Sequence, residues 1–220
     1  MNPVYWNLAS GRQNMGLKLD LLSLWMPDFI MKKEIKTIAE VTIRELDRLI
    51  EENSHSQNSH STLKSLPTPK IEGRSRNRRI EMASAHEQRV KLLIQVLGRD
   101  KAIELGRAAL FRTGQELGSQ LKGRLGVGDS LTDLIKAARI LYRVLGIDFA
   151  VQKTNDTIFL VVNRCQLADY YSSDTCWVLS ATDEGVVQGL NPHISMKFNQ
   201  RMAAGASCCL APITSEEGII

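Results

Sequence analysis

The chain has 220 residues, 43% hydrophobic and 24% charged, which suits one folded domain with an extension and excludes wholesale disorder, a collagen-like repeat or a disulfide-dense miniprotein. Its net charge of +4 is local: residues 53–80 hold six Lys/Arg against one acid, so the rest of the chain sits at −1. The folded part is therefore near neutral, and nucleic acid is not an expected partner.

The richest apolar stretch, Leu17 to Met31, is broken by Lys18, Asp20, Pro27 and Asp28. It falls short of the roughly 20 clean residues that cross a bilayer, and no membrane partner is expected. All four cysteines lie between positions 165 and 209. With no export signal, they point to reduced thiols and a cytoplasmic location.

In chain order, residues 1–30 read as a poorly ordered or short amphipathic extension that carries Leu21, Leu22, Leu24, Trp25, Met26 and Phe29. Met31 is favoured as the natural start. Ile35, Ile38, Val41 or Thr42, Leu46, Leu49 and Ile50 have the three-then-four spacing of an amphipathic helix over 31–52. That helix is too narrow in its apolar stripe to stand alone, so it packs on the domain or pairs two chains into a homodimer. Residues 53–79, polar and basic without aromatics, read as a flexible linker. His55 and His60 within it are solvated, lacking a fixed third ligand.

The domain proper is expected over 80–213, with a tail at 214–220. Ser84 and Glu87 read as a capping box, which leaves His86 facing solvent. Val90, Leu93, Ile94 and Leu97 follow as the buried face, with Gly98 as the stop. A second helix spans Asp100 to about Lys122, with Ile103, Leu110, Leu117 and Leu121 inward. Gly106, Gly114 and Gly118 within it cost about 1 kcal/mol each against Ala, which close approach of another backbone or a flat ligand would offset. Ser130 caps a third helix that stops at Gly146.

The period then changes to two. Ile147, Phe149 and Val151, a turn at Thr154-Asn155-Asp156, and Ile158, Leu160 and Val162 predict a hairpin. A helix from Ser173, capped by Ser173 or Asp174, runs to Gly189. A third strand carries Ile194, Met196, Phe198 and, on its polar phase, Arg201, and a fourth spans Ser207 to Ile213. Helices, hairpin, helix, hairpin make an α+β fold with a four-stranded, mainly antiparallel sheet.

Cys165 ends the second strand, Cys176 opens the following helix, and Cys208-Cys209 sit on the last strand. Strand neighbours face opposite sides, so only one of that pair shares a face with the core. Convergence of Cys165, Cys176 and Cys209 with His193 would make a site for zinc or another thiolate-bound metal. The scattered spacing ranks buried structural thiols first, a catalytic thiol second and a metal third. Cys176, in the first turn of its helix, has its thiolate favoured by the helix dipole and is the nucleophile candidate. Asp183, seven residues on, shares its face. His193 opens a strand as a candidate general base, and Arg201 is a candidate carboxylate clamp. No Walker loop, GxGxxG, HExxH or GxSxG is present.

Val161-Val162-Asn163-Arg164-Cys165, Asp174-Thr175-Cys176-Trp177, Asp183, Gly189-Leu190-Asn191-Pro192 and Arg201-x3-Gly205-x3-Cys209 together resemble the L-2-amino-thiazoline-4-carboxylic acid hydrolase family, a relative of the vinyl-4-reductase (V4R) ligand-binding domain. In the helical half, Leu97-Gly98, Ala102 to Ala109 and Gly114-x3-Gly118 agree in outline. Ala206, where the family tends to have an acid, and Cys208, where an aromatic is usual, depart from it.

The resemblance implies a V4R-like fold and a pocket between sheet and helices for a small organic molecule. It also implies ring-opening hydrolysis of a small heterocycle at a C–N or C–S bond. His193 or Asp183 would activate water, Cys176 or Cys165 would serve as nucleophile or metal ligand, and Arg201 and Asn191 would contact substrate. Two alternatives stand beside this: a non-enzymatic sensor of a hydrophobic or tetrapyrrole-like ligand that signals through the N-terminal helix, and a cysteine-rich metal-binding accessory protein.

Overall fold

The computed structural model describes residues 13–54, 66, 68–155 and 157–215, with side chains from residue 19 onward. The readings on His55, His60 and the last residues of the tail fall outside the described residues. Among the described residues six helices, α1 (Gln13–Leu24), α2 (Asp28–Asn53), α3 (Ser75–Leu97), α4 (Arg99–Leu125), α5 (Leu131–Leu145) and α6 (Ser173–Leu190), accompany four strands. These are β1 (Ile147–Thr154), β2 (Thr157–Cys165), β3 (Ile194–Met196) and β4 (Cys209–Ser215). They form one antiparallel sheet in the order β1-β2-β4-β3. The expected α+β class, with a hairpin on either side of a helix, is the observed one.

The strand period does its expected work in β4, where Cys209, Ala211 and Ile213 are buried. They join Ile158, Leu160 and Val162 of β2 in one core with Leu134, Ala137 and Ile140 of α5. Ser130 caps α5 by accepting the Asp133 N–H at 3.1 Å, and Gly146 ends the helix in the left-handed region, at φ 72°. Both were legible as local signals.

Several boundaries moved. α2 starts three residues earlier than read and buries Ile35, Ala39, Ile43, Leu46, Leu49 and Ile50 within the chain, mainly against α3. Its stripe is therefore not a free face for pairing copies. Residues 75–79, read as linker, are the first turns of α3. Arg79 there is buried, its guanidinium donating to the Val144 carbonyl at 2.7 Å and the Arg143 carbonyl at 2.9 Å. Ser84 consequently lies inside a helix and caps nothing. The Glu87 carboxylate instead accepts from the Ser172 N–H at 2.9 Å, and Ser172, not Ser173 or Asp174, caps α6. β3 ends at Met196, so Arg201 stands beyond it, before a 3-10 turn at Met202–Ala204.

Gly114 and Gly118 of α4 find the backbone partner anticipated for them, whereas Gly106 meets the Val178 side chain of α6. A Cβ on Gly114 would overlap the Thr182 carbonyl oxygen of α6, and one on Gly118 that of Val186. Reciprocally, Gly185 and Gly189 of α6 face Phe111 and Gln115 of α4. The two helices thus touch backbone to backbone, which fixes the depth at which α6 lies between α4 and the sheet.

Candidate functional site

A cavity of about 90 Å³ is lined by one face of α6, the inner face of the sheet, and α2, α3 and α5. From α6 come Cys176, Leu179, Ser180 and Asp183, the i, i+3, i+4, i+7 positions that a 3.6-residue period stacks on one side. Cys165 of β2 and Cys209 of β4 also line it, as do His86 of α3 and Arg201. Its walls are largely apolar.

Three of the four thiols therefore meet at one hollow, and Cys208 is not among the lining residues. They are not activated. Burial pushes Cys176 up to about 12, with the neighbouring Cys209 and Cys165 adding to it. Burial also pushes Cys165 to about 11, although the Leu167 and Ala168 backbone N–H groups oppose it. Desolvation at the α6 N-terminus acts against the helix-dipole argument that made Cys176 the nucleophile candidate. Cys209 is raised by burial too, while its Sγ accepts from the Met202 N–H at 3.3 Å. Among the described residues no group of three or more His, Cys, Asp or Glu is placed to hold a metal ion. The zinc reading of Cys165, Cys176 and Cys209 finds no ligand set.

Among the lining residues Asp183 carries the one carboxyl. Burial, and secondly the adjacent Glu184, raise its carboxyl to about 7. The side chain is half-buried and lines the hollow. Glu184 points away, held by Arg107 at 2.6 Å and accepting the Phe198 N–H at 3.2 Å. One carboxylate is thus neutralised structurally while its neighbour has no cation of its own.

Arg201 supplies the cation. It is buried, donates through Nη2 to the Phe198 carbonyl at 2.8 Å, and stacks 4.0 Å from the Trp177 ring centroid. Its nearest side-chain acceptor is the Ser180 hydroxyl at 3.4 Å. Burial lowers its pKa, but a guanidinium stays charged. A buried arginine held by neutral acceptors retains unsatisfied attraction for an anion.

His86, read as solvent-facing, is fully enclosed. Its Nε2 lies 2.8 Å from Thr42 Oγ1 and its Nδ1 2.8 Å from the Tyr171 hydroxyl. The Thr42 hydroxyl donates to the Ile38 carbonyl at 2.7 Å, so it accepts from Nε2–H. Nδ1 then accepts from Tyr171. Burial, then Arg89, press His86 down to about 3, so the ring is neutral and can hold that tautomer. The signal for it was present: Met82, His86, Val90 and Leu93 form one helical stripe once α3 begins at Ser75.

Two other candidates lie elsewhere. His193 is exposed at the start of β3 and does not line the cavity. Asn191 is buried, but its side chain donates to the Asp129 carbonyl at 3.0 Å and accepts the His193 N–H at 3.0 Å. It ties the end of α6 to the α4–α5 turn instead of facing a ligand.

A family model described as L-2-amino-thiazoline-4-carboxylic acid hydrolase matches residues 78–211. No match was found among curated proteins. Among solved structures, the chain is similar to a trafficking protein particle complex subunit 3 from Naegleria fowleri covalently bound to palmitic acid (15% identity, 64% of this chain and 97% of that one, TM-score 0.49). It is also similar to the phenol-responsive sensory domain of the transcription activator PoxR with phenol (16%, 61% and 75%, 0.47). A third is an H-NOX protein from S. oneidensis in the Fe(II)NO ligation state (17%, 78% and 98%, 0.43). At such identities these likenesses say nothing of ligand or activity here. The family match spans well over half the chain, from within α3 into β4, and takes in the three cavity thiols, Asp183 and Arg201: the chain belongs to the L-2-amino-thiazoline-4-carboxylic acid hydrolase family.

Proposed function

We propose that the protein hydrolyses a small heterocycle that carries a carboxylate, by ring opening of a cyclic amidine-like group. The observation that carries this reading is that one apolar hollow is lined both by a carboxyl raised to about 7 and by a buried arginine held by neutral acceptors. Arg201 holds the substrate carboxylate, and the Trp177 face keeps the guanidinium in place. Ionised Asp183 takes a proton from water as its oxygen bonds to the amidine carbon. The bond from that carbon to the ring sulfur or nitrogen then breaks, and the proton passes to the leaving atom. Water and not a thiol is the nucleophile in this scheme, because Cys165 and Cys176 stay protonated near neutral pH.

A second reading, a ligand-binding sensor, draws on the hydrogen-bond chain Tyr171–His86–Thr42, which joins the cavity wall to α2. A ligand that displaces the Tyr171 hydroxyl would reach the N-terminal helix through it.

The test is incubation of the purified full chain with L-2-amino-thiazoline-4-carboxylate, following thiol release and product mass. Turnover that disappears in Asp183→Asn but survives in Cys176→Ser supports the hydrolase. Turnover lost in Cys176→Ser with the fold intact returns the thiol to the role of nucleophile. Saturable binding without turnover leaves the sensor.

A further inference from the structure

Two surface features that the cavity does not use lie side by side. α1 docks on the domain by one side only. Leu19 and Met26 are buried, and the Leu22 and Ser23 carbonyls accept from Arg143 at 3.4 and 2.9 Å. Leu21, Leu24 and Trp25 stand at the i, i+3, i+4 spacing of another face, and Phe29 follows in the first turn of α2. These four are 62%, 79%, 64% and 72% exposed. Single exposed apolar residues are ordinary, but four within nine positions, two of them aromatic, make a patch that folding alone does not explain.

A basic cluster adjoins it. The Ser75 hydroxyl donates to Asp28 at 2.7 Å, and Arg78 donates to the Lys32 carbonyl at 3.3 Å. These bonds fasten the start of α3 against the start of α2, where Phe29 projects. Arg74, Arg76 and Lys33 are exposed there. Of the nearby acids, Asp28 is engaged with Lys32 and Asp20 with Lys136, each at 2.6 Å, and exposed Glu72 offsets one of the three cations. Surplus positive charge therefore borders an apolar, Trp-bearing surface.

We infer that this face docks on an anionic lipid surface. Trp25, Phe29, Leu21 and Leu24 enter the boundary between headgroups and acyl chains, where an indole is at home, and the arginines lie against lipid phosphates. Attachment of this kind is peripheral: among the described residues no helix is long and apolar enough to cross a membrane.

The test is flotation of the full chain with vesicles of phosphatidylcholine alone and of phosphatidylcholine with phosphatidylserine, at low and high salt. Binding is expected only with phosphatidylserine and weakens as salt rises. Arg74→Gln and Arg76→Gln each lower it about fivefold, and Trp25→Ser with Phe29→Ser lowers it about tenfold or more. Unfolding transitions should be unchanged in all of these, since the side chains are exposed. Absence of binding, or equal binding to both vesicles, overturns the proposal. So does a concentration-dependent dimer that Trp25→Ser abolishes, which would assign the face to a second copy.

Discussion

Replacing Asp183 by Asn tests the electrostatics of the cavity without changing its shape. The carboxyl titrates near 3.8 in the unfolded chain and at about 7 in the folded one. The folded protein therefore binds the proton more tightly, and ionising Asp183 works against folding. Its protonated form carries no penalty below about pH 4. Stability is then lost progressively as pH rises from about 4 through about 7. A shift of about three units corresponds to about 4 kcal/mol, an upper value that water inside the hollow would reduce. Asn cannot ionise, so Asp183→Asn should be more stable than the parent by up to about 4 kcal/mol above pH 7.5 or so, with the difference below about 1 kcal/mol near pH 4. Urea unfolding across this range, by circular dichroism, reads both curves. The proposed hydrolysis should show the opposite dependence in the parent, rising with pH through about 7 as the base ionises, and should vanish in the variant. Parallel stability curves at all pH values would mean that the carboxylate is well hydrated, and the reading of Asp183 as a tuned acid–base group would fall.

The α4–α6 contact and the thiols give two further expectations. Gly114→Ala should cost about 3 kcal/mol or more, because its methyl group meets the Thr182 carbonyl, whereas Gly123→Ala, with nothing within 4 Å, should stabilise by about 0.5–1 kcal/mol; chemical denaturation of the two variants side by side decides it. At pH 7–8, iodoacetamide should label Cys165 and Cys176 in the folded protein about 100-fold or more slowly than in urea, because the raised thiols hold little thiolate. Rapid native labelling of either, by peptide mass spectrometry, would contradict their assigned state.

How far the site was readable follows the range of the interactions involved. Cys176 and Asp183 share a helical face by period alone, and strand parity allowed only one of Cys208 and Cys209 towards the core; Cys209 is the one at the cavity. Arg201 reached the site although it left the strand it was assigned to, since a turn at Met202–Ala204 places it as well as a strand end would. His193 and Asn191 lie next to the end of the same helix, yet the chain turns there so that one faces solvent and the other braces a loop. His86 was misread because a plausible capping pair, Ser84 and Glu87, masked a helix that starts nine residues earlier.

By itself the sequence determined the order of elements, the Ser130 cap, the Gly146 stop and the alternation of the strands, because each rests on neighbours within about four residues or one hairpin. Tertiary structure alone decided which groups surround the hollow and in what ionisation state. The His86–Tyr171 bond joins residues 85 apart, and the levels of Cys176 and Asp183 are set by the water that packing removes. Local propensity carries no record of that exclusion, so a thiol at a helix start looked reactive until the fold buried it.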